Sequence, residues 1–125
     1  MEIDLKEFSP DQQQALFDLL ILAMYADGHL TSLEDEQLQH LLTTMGHSEE
    51  SARQREYDAA VTRIRPMIQT IYLAKTHAIA LADCFTSRPQ QIKVLAAVYQ
   101  IMNTDLHISS WESTLLSELR MKFRL

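Results

Sequence analysis

A disulfide needs two cysteines, and this chain of 125 residues has only Cys84. A single thiol rules out an internal bridge and fits a reducing compartment, so the expected location is the cytoplasm. Glycine is equally scarce, with only Gly28 and Gly46, and there are three prolines. A glycine-rich phosphate loop cannot be built from two separated glycines. Basic residues do not gather into a stripe, and the net charge is −6, so a nucleic-acid surface is not expected. The longest apolar run, Leu19 to Ala26, is far shorter than the roughly 20 residues of a membrane span. The first residues are acidic where a signal peptide is basic, so no leader is expected.

What is present is 46% hydrophobic residue in a length that supports one real core. No stretch alternates polar and apolar between turn signals, so no strand is expected. Helix punctuation is clear instead. Ser9-Pro10-Asp11-Gln12 is a capping box opening a helix through Leu16, Leu19, Leu20, Ala23 and Met24. Asp27-Gly28 stops it, and Thr31-Ser32-Leu33-Glu34 caps a second helix that ends at Gly46. Ser87-Arg88-Pro89-Gln90 opens another, with Ile92, Leu95, Ala96, Val98, Tyr99 and Met102 on its apolar face. Ser109-Ser110-Trp111-Glu112 caps the last helix, which carries Leu115, Leu116, Leu119 and Phe123. Between these pairs, Ser48 is read as the cap of a further helix whose last turn holds Arg63 and Arg65. Pro66 then breaks or kinks the chain before a helix packed between the two pairs.

The two ends repeat each other. With a shift of 78, residues 9–45 overlie 87–123 without a gap, and ten positions are identical. The matches concentrate in Asp27-Gly-His-Leu-Thr-Ser-Leu-Glu34 against Asp105-Leu-His-Ile-Ser-Ser-Trp-Glu112. Such self-similarity marks a doubled supersecondary unit. The expected fold is therefore an all-α single domain over 1–125, a bundle of about six helices. Its parts are a helical hairpin at 9–45, central helices at 48–86 and a second hairpin at 87–123, related by a pseudo-two-fold.

Two readings of the repeated pattern are open. In one, Asp27 and Asp105 bond loop N–H groups while Glu34 and Glu112 complete capping boxes. In the other, Asp27, Glu34, Asp105 and Glu112 converge as metal ligands, with His29 and His107 as further candidates. Four carboxylates suit Ca²⁺, Mg²⁺ or Mn²⁺. The spacing is neither an EF-hand nor a zinc motif.

Ala26-Asp27-Gly28-His29-Leu30-Thr31-Ser32-Leu33-Glu34, after a buried helix and before Leu38, Leu41 and Leu42, resembles the signature of TerB-like domains. These occur in bacterial tellurite-resistance proteins and in DnaJ-type co-chaperones. The resemblance implies an all-helical, non-enzymatic domain of a stress-associated assembly, with acidic loops that bind a divalent cation. Asp27 and Glu34 match that pattern directly, whereas Leu106 replaces its glycine in the second loop. The alternative is a metal-free helical protein–protein interaction module, with its function in a groove between the hairpins. A small hydrolase with carboxylate-bound metal is a third reading.

No catalytic set can be assembled. Cys84 lies two turns from His77, beyond hydrogen-bond reach, and is read as a buried spectator. His40 and His47 flank a helix end, and Trp111 is read as a packing anchor. Arg120, Lys122 and Arg124 form a basic end that suits a helix C-terminus and allows peripheral contact with an anionic membrane. The charges from Glu49 to Glu56 are read as a solvated face.

Overall fold

The computed structural model describes residues 4–25, 32–103 and 110–125. They form six helices: α1 (Pro10–Tyr25), α2 (Ser32–Thr44), α3 (Glu50–Ile64), α4 (Ile71–Ala82), α5 (Arg88–Met102) and α6 (Ser110–Phe123). A 3₁₀ turn at Arg65–Ile68 joins α3 to α4, with Pro66 inside it, so the proline divides this stretch into two helices. No strand occurs among the described residues, and the fold is all-α. Nor is any described helix long and apolar enough to cross a membrane.

Local chemistry explains the helix starts. Ser9 Oγ accepts from the Gln12 N–H at 3.2 Å, and Gln12 Oε1 accepts from the Ser9 N–H at 2.9 Å, completing the capping box. Thr70 caps α4 by accepting from the Leu73 N–H, and Ser87 caps α5 by accepting from the Gln90 N–H. Ser48 is not a cap. The N-cap of α3 is Glu49, without a side-chain bond, and the Ser48 carbonyl ahead of it accepts from Arg53 at 2.7 Å. The proposed caps Thr31 and Ser109, and the stop at Gly28, lie outside the described residues.

α1 is the axis of the bundle. Every residue from Ala15 to Met24 is buried, and the helix touches the other five. A helix apolar nearly all round must be covered on all sides. α4 meets α1 and α6 with a stripe of fully buried alanines, Ala74, Ala78 and Ala82, whose small side chains allow close approach.

Several local features recur 78 positions apart. Gln12 and Gln90 bond each other through both amide groups, at 3.0 and 3.3 Å. Each also donates to a backbone carbonyl beside the other helix, Gln12 to Cys84 at 2.8 Å and Gln90 to Glu7 at 2.5 Å. Gln13 and Gln91 donate back to Phe8 and Phe85, whose rings meet edge to face at 5.8 Å. The starts of α1 and α5 are thus clasped together.

The helix ends match as well. The Gly46 N–H bonds Thr43 O and the His47 N–H bonds Leu42 O, a Schellman end with Gly46 at φ 108°. Arg124 and Leu125 make the same two bonds to Met121 and Arg120, with Arg124 at φ 58°. This second end places a non-glycine residue in the left-handed region, which is costly for a side chain with a Cβ. It also turns Leu125 back toward α5.

Candidate functional site

Asp27, His29, Asp105 and His107 lie outside the described residues, and Glu34 is in the first turn of α2 with its side chain likewise outside them. Glu112 is described. It stands in the first turn of α6, only 2% exposed, and it has an interaction partner. That position suits a carboxylate facing the positive end of its own helix. Among the described residues no group of His, Cys, Asp and Glu is gathered to hold a metal ion.

The structure instead opens a groove where the sequence pattern put core. The inward face of α5 consists of Val94, Ala97, Val98, Ile101 and Met102, all buried, together with Gln90. Ile92, Leu95, Ala96 and Tyr99, read from the sequence as one apolar face with Val98 and Met102, form a second apolar face rotated away from α1. Ile92 is 51% exposed and Tyr99 47%. The correction has a simple cause: apolar residues occupy so many α5 positions that two stripes coexist, and only contact with α1 selects between them. Leu116 and Arg120 of α6 form the opposite wall, and Leu125 closes one end. The cavity is about 470 Å³. It lies between α5 and α6, inside the second hairpin and not between hairpins.

Among the residues that line this groove Arg120 has the one charged side chain, and among the described residues that side chain has no ion pair or hydrogen bond. Four other cations of this region are committed. Arg88 donates to Phe123 O at 2.6 Å, Lys122 pairs with Asp83, Lys75 with Glu118 at 3.4 Å and Lys93 with Glu7 at 3.3 Å. Lys122 is therefore a bundle contact, and the expected basic end reduces at the groove to Arg120.

The corresponding face of α1 looks different because α3 covers it. Ile92, Leu95, Ala96, Tyr99 and Asn103 follow Gln14, Phe17, Asp18, Ile21 and Tyr25 by 78 positions. Asp18, 5% exposed, receives two hydrogen bonds from Arg63 of α3, at 2.8 and 3.0 Å. A fork of this kind matches a carboxylate in both geometry and charge. The Asp18 carboxylate holds the Arg63 guanidinium above its ordinary pKa. Arg63 is thus a tertiary partner, more than a charge for its own helix end. Ile21 and Tyr25 face Val61 and Ile64, and the Tyr25 and Tyr57 hydroxyls meet at 3.1 Å. Burial first, then this hydrogen bond, pushes the Tyr57 hydroxyl well above its usual pKa.

Sequence reasoning passed over Asp18 and Gln90 as buried polar anchors. A lone Asp inside an apolar helix was the available signal, since a buried carboxylate must find a partner. Arg53 also leaves the expected solvated face, donating to Gln39 Oε1 at 3.0 Å and tying α3 to α2. Cys84 is exposed and not buried. It follows the end of α4 at Ala82, and the inward positions there belong to Ala78, Ala82 and Phe85. Trp111 is half-buried against the core.

Compared with protein-family models, curated proteins and solved structures, the chain matches none.

Proposed function

We propose that this protein is a helical interaction module that receives an amphipathic helix in the groove between α5 and α6. One observation carries the reading: Ile92, Ala96 and Tyr99 are exposed at helical spacing on α5, and together with the partly buried Leu95 they make a continuous apolar stripe along the groove. Apolar faces of this kind, rimmed by polar residues, serve as recognition grooves for helices. The groove offers shape and apolar contact, with no nucleophile–base pair among its lining residues, so binding is the activity it supports.

The test is titration with a designed four-turn helix whose seam is leucine and whose other faces are uncharged. Binding should shift the methyl NMR signals of Ile92, Leu95 and Leu116, and Ile92→Glu should abolish it while leaving the melting temperature intact. Unshifted methyls at saturating helix would remove the reading.

The cation reading belongs to the TerB-like pattern at Asp27, Glu34, Asp105 and Glu112, and one measurement separates it from the groove. If that site operates, Ca²⁺, Mg²⁺ or Mn²⁺ raises the melting temperature by mass action, and chelator or Asp27→Asn with Asp105→Asn cancels the rise. The groove alone gives no ion response.

A further inference from the structure

We infer that the helix received by the α5/α6 groove is an acidic one, which lies on α5 as α3 lies on α1 and sets a carboxylate against Arg120. This rests on the groove being a binding site and adds the chemistry of its occupant.

Three observations lead to it. First, the fold already contains the complex it implies. α3 packs on the face of α1 that holds Phe17, Asp18, Ile21 and Tyr25, and the residues 78 positions on, Leu95, Ala96, Tyr99 and Asn103, lie along the open wall of the groove. No described element covers that wall. α4, the other central helix, packs on α6 and α1 instead of α5.

Second, the charge at the contact is reversed. The α1 face presents a carboxylate, Asp18, and its covering helix supplies Arg63. In the groove the position equivalent to Asp18 is Ala96, and the charged group is Arg120, whose side chain is unpaired among the described residues. A covering helix that follows the same logic must bring the opposite sign, Asp or Glu. Burying Arg120 beneath an apolar or basic helix would leave its charge without compensation.

Third, the groove lies on the segment richer in basic residues, of which Lys93 and Lys122 are paired with Glu7 and Asp83 and Arg120 is left facing the groove. Residues 88–125 hold five Lys and Arg against three Asp and Glu, while residues 1–87 hold six against fourteen. An acidic helix is therefore repelled less here than over the rest of the chain, and Arg120 attracts it. The same charge argues against a second copy docked groove to groove, since a two-fold contact would press Arg120 against its twin.

The experiment compares two four-turn helices with one leucine seam, one carrying glutamates on its flanks and its twin lysines. Each is titrated into the full chain at low salt while the Ile92, Leu95 and Leu116 methyl signals are followed. The glutamate helix should bind at least about tenfold more tightly than its twin, and Arg120→Glu should reverse that order. Equal affinities, or an order indifferent to Arg120→Glu, would overturn the acidic partner while leaving the groove as a binding site. Methyl signals that respond to neither helix would overturn the groove reading as well. Sedimentation of the free chain supplies the last outcome: a dimer dissolved by Ile92→Glu would make a second copy the occupant and sink the inference.

Discussion

Two faces of this molecule, built from matching positions, have opposite fates. On α1 the stripe through Phe17 and Ile21 is buried under α3, and its one charge, Asp18, is neutralised by Arg63. On α5 the stripe through Leu95 and Tyr99 stays open, and its charge, Arg120, waits across the groove on α6. The difference is one helix. A covered apolar face contributes stability, whereas an uncovered one of similar composition leaves that free energy available to a partner. Where α3 sits, each buried polar group has an internal match, as Asp18 has Arg63 and Tyr25 has Tyr57.

The comparison can be broken by truncating each face in turn. Ile21→Ala should lower unfolding free energy by about 2–5 kcal/mol in denaturant melts, because it leaves a cavity beneath α3. Tyr99→Ala, at the matching position, should change it by less than about 0.5 kcal/mol, as a surface substitution does. Comparable losses at the two sites would mean that the α5 face is not open.

Charge gives the next contrast. Arg63→Met leaves the Asp18 carboxylate buried without its partner, and with Arg63 35% exposed the loss should sit near the lower end for broken buried pairs, about 2–3 kcal/mol. Adding Asp18→Leu should restore most of that in the same melt. Arg120→Met should leave stability unchanged.

The hydroxyl pair sharpens the comparison through pH. Tyr57 has a raised pKa in the folded chain, so the unfolded chain releases this proton first as pH rises past about 10. Its contribution is complete below that value and declines above it. Alkaline melts should therefore show stability falling with pH, and Tyr57→Phe should flatten that part of the slope.

The smallest expected effect is at the two Schellman ends. Gly46 occupies its left-handed position without strain, and Arg124 occupies the equivalent one with a Cβ. Arg124→Gly should raise stability by up to about 1 kcal/mol in thermal melts, and Gly46→Ala should lower it by a similar amount.

Much of the fold was legible because its signals are local. The Ser9–Gln12 capping box, the proline break at Pro66 and the glycine end at Gly46 each depend on a few neighbouring residues, and each appears as read. The orientation of α5 was not legible. Ile92 and Tyr99 share the apolar character of Val94 and Ile101, and a single helix cannot say which stripe will meet α1. Arg63 illustrates the same limit, since the partner that gives it meaning is 45 residues away.

What the sequence determined by itself is an all-helical chain with set starts and stops, because capping, turn and propensity effects act within one or two turns. Tertiary structure alone decided which of two similar apolar faces would be covered. α3 packs on α1, and the turn at Arg65–Ile68 that follows it sends α4 across α1 to α6 and away from α5; burial is a property of the assembled bundle that no single helix contains.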